Sequence, residues 1–259
     1  MHMTISQLEN DINSLLDGMD SPVGLSIKEG DHSITVNANM SMPAASVIKI
    51  PIIMEAFRRA QNGDLNLFET ISVPADAIVG GSGFLQALSE DVSMTLLDVL
   101  TLMVIVSDNT ASNLVLKRVG IHSVNTLCRQ LQCHDTKIQR YFMDMKAAED
   151  GPENTTTADD MNKFLEEIST PKLLSKKSAN HILQIMTHQQ LTAKLPAYHT
   201  NNELIIANKT GELMDAEHDV GIFRYQDRTV LASVMISGIN DRVAAQLLIA
   251  GVGNRLWLI

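Results

Sequence analysis

The sequence predicts an α+β fold of two lobes: about five antiparallel strands in one sheet, covered by the terminal helices, and an all-helical lobe between the early and late strands. Three observations predict it. Helix-period stretches occupy both ends and the middle of the chain, whereas β-like runs fall only near residues 23–37 and 204–237. Both β regions are broken by short polar turns, Glu29-Gly30-Asp31-His32 and Gln226-Asp227-Arg228, which favour antiparallel pairing. With 45% hydrophobic residues in a chain of 259, there is enough apolar material for one large core or two lobes. The expected division is a single domain over 1–259, with a sheet lobe at about 1–42 and 203–259 and a helical lobe at about 43–202.

The elements follow in order. Ile5, Leu8, Ile12, Leu15 and Leu16 recur at helical spacing, which predicts an amphipathic helix over 4–19. Val23 to Lys28 and Ser33 to Asn37 read as a hairpin. A helix begins near Ser46 and ends at the C-cap signal Asn62-Gly63-Asp64. Residues 64–94 are loop-rich, and Met94 to Val106, Asp108 to Val119 and 121–131 read as helices. His134 to Asn154 has little periodicity and forms a long irregular loop of the kind that often carries function. Thr156 or Thr157 caps a helix through Ile168, and another runs from Ser175 to Gln190. Leu204 to Asn208, Val220 to Tyr225 and Thr229 to Ser237 are expected strands, and a helix from Asp241 to Leu258 closes the chain.

Charge and composition exclude several classes. The net charge of −10, from 20 basic and 30 acidic residues, argues against nucleic acid as a partner, so an anionic ligand must be drawn by local cations. The longest nearly apolar run, Val99 to Val106, is far short of the ~20 residues that span a bilayer, so no membrane segment is expected. Cys128 and Cys133 are expected to point to different faces and not to form a disulfide. Eight scattered histidines show no metal-ligand spacing, and no metal or cofactor is expected. The amino terminus has no basic-then-apolar leader, which places the chain as it stands in the cytoplasm, or outside it if a leader has been removed.

The chemistry concentrates in Ser46-Val47-Ile48-Lys49. At a helix start this spacing stacks the Lys49 amine one turn behind the Ser46 hydroxyl, at the positive end of the helix dipole. A desolvated lysine there takes the serine proton and makes a nucleophile. One such match has a plain alternative, a capped helix with an exposed lysine, and the chain holds a second in Ser169-Thr170-Pro171-Lys172. Two further short motifs follow. Ser107-Asp108-Asn109 sits between two predicted helices and is also good N-cap chemistry. Lys209-Thr210-Gly211 ends a predicted strand, where the glycine allows close approach.

Together and in this order the three motifs resemble those of the serine β-lactamases and penicillin-binding proteins, most closely the class A β-lactamases. The resemblance covers nearly the whole chain, through Asp108-Asn109-Thr110-Ala111-Ser112-Asn113-Leu114, Asn154-Thr155-Thr156-Thr157 and His218-Asp219-Val220-Gly221. The second Ser-x-x-Lys is out of order and is set aside. The resemblance implies that Ser46 attacks an amide carbonyl with Lys49 as base, and that Ser107 passes a proton to the leaving nitrogen. It implies that Asn109 holds Lys49 and the substrate amide, that Lys209 and Thr210 bind a carboxylate, and that Gly211 clears the substrate's path. Backbone N–H groups of Ser46 and Glu212 would form the oxyanion hole, and Phe84 would wall the site or simply pack. The implied partner is a small carboxylate-bearing amide, a β-lactam or a D-alanyl peptide.

The long loop departs from the family. The glutamate that class A enzymes place two residues after a loop arginine is Phe142 here, after Arg140. Asp144 is the nearest carboxylate, and Asn154 replaces the aspartate that closes the loop and pairs with that arginine. The expectation is a serine acyl-enzyme hydrolase that opens β-lactams and clears slowly. A D-alanyl carboxypeptidase or other amide or ester hydrolase is the second reading, and a non-catalytic β-lactam-binding sensor the third.

Overall fold

A computed structural model describes residues 5–89, 92–199 and 203–256. The expected helical positions at 4 and 257–258 lie outside them, as does part of the 64–94 loop. The chain begins with α1 (Ile5–Leu16), β1 (Val23–Glu29) and β2 (His32–Val36). A short β3 (Met42–Pro43) and a 3-10 turn (Ala45–Ile48) lead into α2 (Lys49–Gln61). Next come β4 (Thr70–Ser72), β5 (Ser93–Thr95), α3 (Leu96–Ile105), α4 (Asn109–Val119) and α5 (Ile121–Gln130). The long loop carries α6 (Met145–Glu149) and ends in β6 (Thr155–Thr156), before α7 (Ala158–Ser169) and α8 (Lys176–Thr187). The chain returns as β7 (Ile205–Leu213), β8 (Ala216–Tyr225), β9 (Arg228–Ser237) and α9 (Arg242–Arg255).

The main sheet has five strands in the order β2-β1-β9-β8-β7, antiparallel throughout. Tyr225 pairs with Arg228, so Gln226 and Asp227 make the tight turn, with Gln226 at φ +51°. Strand β1 lies beside β9, with Leu25 opposite Val234, so both ends of the chain build one sheet. Its two faces enter different cores. Val230, Ala232, Val234 and Ile236 of β9 pack with Leu8 and Ile12 of α1 and Ile249 and Val252 of α9. Leu231 and Met235, one residue out of phase, pack with Phe164 of α7, Ile182 of α8 and the buried helix α2. This double burial makes β9 a nearly continuous apolar run instead of an alternating one.

Three local features differ from expectation. The Lys209-Thr210-Gly211 motif does not end its strand: β7 continues to Leu213, because β8 pairs with it down to Ala216. The long loop contains the helical turn α6. The helical lobe also holds two small sheets, β3 with β6 and β4 with β5. Ladders of two or three residues between remote segments leave no local pattern to read.

Candidate active site

Two anchors hold the turn that carries Ser46. Ala44 N–H donates to the Asn154 carbonyl at 2.7 Å, and the Pro43 carbonyl meets His218 Nε2 at 2.8 Å. His218 Nδ1 accepts from Ile236 N–H at 3.2 Å, so Nε2 carries the proton and donates to Pro43. Burial pushes the His218 pKa down to about 4, which keeps the ring neutral in this clamp. Ala45 takes φ +47°, a strained value for a residue with a side chain. Ser46 then stands half-buried in the 3-10 turn with Lys49 three residues on. Residues i and i+3 eclipse in a 3-10 turn, so the lysine stacks more directly behind the serine than α geometry would place it.

Lys49 is fully buried, and its three polar contacts all reach the second motif. Nζ lies 2.7 Å from the Ser107 carbonyl, 3.1 Å from Ser107 Oγ and 3.0 Å from Asn109 Oδ1. Burial lowers its pKa well below the usual lysine value, and the nearby Lys209 cation adds to this against the pull of Asp108. Lys209, also fully buried, approaches Ser107 Oγ at 3.1 Å from the other side and donates to the Thr210 carbonyl at 2.8 Å. The Ser107 hydroxyl therefore bridges two lysine nitrogens. Burial brings Lys209 down to about 7, reinforced by Lys194 and opposed by Asp219.

Ser107 sits at φ +57°, and the Asp108 carboxylate organises the segments around it. Asp108 caps α4 through Ala111 N–H at 2.9 Å and accepts from the N–H groups of Phe84 and Leu85 at 2.7 and 2.9 Å. A Cβ at Gly83 would collide with that carboxylate, so only glycine fits there. Phe84 itself is exposed, 60%. Asn109 gives one of its two side-chain N–H groups to the Gly80 carbonyl at 3.2 Å. Gly211 allows β7 to approach the Ser46 turn: a Cβ there would lie 3.1 Å from Ala45 Cβ and 3.2 Å from the Ser46 nitrogen. Among the described residues β7 pairs only with β8, which leaves its other edge open, and the Ser46 turn packs against both strands. The Thr210 side chain is buried, and the Glu212 side chain is exposed.

The long loop closes over Lys49 with a ring. The Phe142 centroid lies 4.7 Å from Lys49 Nζ. Asn113, one turn along α4 from Asn109, clamps the Phe142 backbone, accepting from its N–H at 2.9 Å and donating to its carbonyl at 3.0 Å. The Arg140 guanidinium pairs with Glu153 at 2.9 Å, and Asn154 meets Arg140 only at its backbone. Asn154 instead accepts from Gln139 and Arg140 N–H at 2.7 and 3.1 Å. The carboxylate of Asp144 caps α6, accepting from Ala147 N–H at 3.0 Å. Sequence reasoning missed Glu153 as the arginine's partner, His218 as a clamp, and Lys194. Each acts through a remote backbone or side chain, and none has a local signal beyond its residue type.

Cys128 and Cys133 are free and buried, and burial pushes the Cys128 thiol up to about 12. Among the described residues no cluster of His, Cys, Asp or Glu is arranged to hold a metal ion, and no helix is long and apolar enough to cross a membrane.

A serine three residues before a buried lysine of lowered pKa, with a second serine bridging two buried amines, is the arrangement expected of a serine hydrolase. The chain belongs to the beta-lactamase enzyme family, whose profile it matches over residues 7–258. It is 25% identical to the beta-lactamase VEB-1 of Pseudomonas aeruginosa, over 91% of this chain and 86% of that one. The structure is similar to a beta-lactamase from Sphaerobacter thermophilus, with a TM-score of 0.91 at 26% identity over 98% of this chain and 97% of that one. It is also similar to a leucine-to-glutamate mutant of PBP-A solved as an acyl-enzyme complex with penicillin G. That match has a TM-score of 0.86 at 27% identity over 98% and 96% of the two chains.

Proposed function

We propose that Ser46 opens β-lactams to a long-lived acyl-enzyme. Lys49, whose burial favours the neutral amine, takes the Ser46 proton, directly or through water, as Oγ bonds to the lactam carbonyl carbon. The developing oxyanion is held by the N–H groups of Ser46 and Glu212. The ring C–N bond then breaks, and the leaving nitrogen takes the Ser107 proton, which the lysine amines replace. Lys209 and Thr210 hold the substrate carboxylate, and Asn109 its side-chain amide. The observation that carries this reading is the placement of Ser107 Oγ at 3.1 Å from both Lys49 and Lys209 Nζ, a ready path for the proton.

Clearance is slow because Phe142, packed on Lys49, supplies no base for water, and Asp144 is engaged in a helix cap. Removing a general base commonly costs about 10²–10⁴ in rate. Intact-mass measurement with penicillin G, together with burst kinetics on a chromogenic cephalosporin, tests this. A stoichiometric burst and a persistent adduct on Ser46 are expected. Rapid turnover without a burst would sink the slow step, and no adduct would sink the acylation. The three motifs, shared with penicillin-binding proteins, also suit a second reading, hydrolysis of a D-alanyl peptide or another amide or ester. Turnover of such a substrate faster than a β-lactam would select it.

A further inference from the structure

We propose that Lys194 is a positioning residue for acylation: from behind, it polarises the Gly211–Glu212 peptide, whose N–H faces the Ser46 turn. The inference rests on Ser46 being the acylated residue. Lys194 lies on the loop between α8 and β7, 2% exposed, and its Nζ donates to the carbonyls of Gly211 and His218, both at 3.1 Å. Gly211 and His218 are partners across the β7–β8 ladder. A trans peptide aims its C=O and N–H in opposite directions. The Gly211 carbonyl, held by Lys194 on the β8 side, therefore turns the Glu212 N–H toward the open edge of β7. The Ser46 turn packs against Gly211, with the Ser46 nitrogen 3.2 Å from where a Gly211 Cβ would stand. An ammonium donating to a carbonyl draws electron density from the amide nitrogen, and the N–H becomes a stronger donor. An oxyanion forming on Ser46 would feel the difference.

The lysine is held firmly. Leu195 N–H donates to Asp219 Oδ2 at 2.9 Å, and Ala197 N–H to the Lys194 carbonyl at 2.8 Å. Gly253 of α9 packs against the Leu195 carbonyl so closely that any Cβ would collide with it. Lys194 also meets Glu217 at 2.5 Å and Glu212 at 3.1 Å, and Arg242 meets Glu217 at 2.7 Å and Glu212 at 3.6 Å. Arg242 and the carboxylates of Glu212, Glu217 and Asp219 surround the lysine, whose charge still lowers the Lys209 pKa. What reaches the Gly211 carbonyl directly is the N–H contact. The plain alternative is that Lys194 only balances the buried Glu217 carboxylate.

Acylation rates of the full chain separate the two. Lys194→Met, Lys194→Arg, Glu217→Gln and the double variant Lys194→Met/Glu217→Gln are reacted with penicillin G and with a neutral thioester that has no carboxylate. Adduct growth is followed by intact mass. Removing a whole oxyanion donor costs about 10²–10³ in rate, so weakening one should cost about tenfold. That loss is expected in Lys194→Met with both acyl donors, in the first-order acylation constant and not in the binding constant. Lys194→Arg should recover part of it and Glu217→Gln should keep the wild-type rate. The double variant, which leaves no stranded carboxylate and carries the test if the single variant misfolds, should stay slow. Recovery in the double variant, an unchanged rate in Lys194→Met, or a loss confined to penicillin would each overturn the proposal while leaving Ser46 acylation standing. Absence of any adduct on the wild-type chain would remove the acylation reading and this inference with it.

Discussion

The two walls of the site are built by different means. On one wall, Lys49, Ser107 and Lys209 project from α2, the start of α4 and β7, all fully or nearly fully buried, and their polar atoms point at one another. On the other, the 134–154 loop turns its carboxylates onto itself: Glu153 to Arg140 and Asp144 to the Ala147 N–H. In the proposed reaction the first wall makes the acyl bond, and the second places a phenyl ring over Lys49. The contrast teaches that, under the proposed mechanism, forming and clearing an acyl-enzyme would rest on separable parts of the molecule, a rigid framework for one and a loop for the other.

The largest expected effect breaks the first wall. Ser46→Ala should abolish the penicillin adduct completely, measured by intact mass, and leave the circular dichroism spectrum unchanged. The buried cysteines, with Cys128 raised to about 12, should not contribute a competing adduct. Lys49→Ala should slow acylation by about 10²–10⁴, the usual worth of a general base.

Rewriting the second wall is the next test. Phe142→Glu puts a carboxylate beside Lys49 on a backbone that Asn113 already clamps. Acyl-enzyme release, followed after a single-turnover pulse, should quicken by about 10² or more if the missing base limits clearance. An unchanged release rate would mean that the loop backbone, not its side chain, blocks water.

Lys209 sharpens the comparison through pH. Losing its charge-assisted contact should cost carboxylate substrates about 1.5–3 kcal/mol, roughly ten- to hundredfold, and neutral esters much less. Because Lys209 is cationic only below about 7, kcat/KM for a carboxylate substrate should fall as pH rises through that value. The rising limb belongs to Lys49, whose lowered pKa frees the amine as pH increases. A pH profile of kcat/KM for penicillin against a neutral ester reads both limbs, and the falling limb should be weak for the ester.

The smallest effect belongs to Asp144. Asparagine caps a helix about as well as aspartate, so Asp144→Asn should change stability by only a few tenths of a kcal/mol. Deacylation should stay within about twofold, since a loss near 10² is what removal of a working base would give. Trapping of the acyl-enzyme in this variant would make Asp144 the replacement base.

Much of the first wall was legible because its chemistry is local. Ser46 and Lys49 are three apart, and Ser107 to Asn109 are consecutive at a helix cap. The long loop was legible only by what it lacks. Phe142 showed that a carboxylate is missing, but nothing in Arg140 to Asn154 announced that Glu153 takes the arginine or that Asp144 turns to its own helix. Those choices depend on which of several nearby carboxylates the closed backbone brings within reach. Strand β7 shows the same limit: Lys209-Thr210-Gly211 read as an ending because Glu212 and Leu213 give no β alternation, yet β8 carries the strand onward.

By itself the sequence determined the order of the long helices and the main-sheet strands, their antiparallel pairing and the three motifs, because periodicity, caps and turn residues act within a few positions of one another. Only the tertiary structure decided what needs distance and burial. It sinks Lys49 and Lys209 until their pKa values fall, and sets Ser107 between them. It swings the Phe142 ring onto Lys49, and brings Lys194 behind the Gly211 carbonyl. Desolvation and hydrogen-bond geometry are properties of neighbours far apart in the chain, and they exist only once the sheet and the helices have closed on each other.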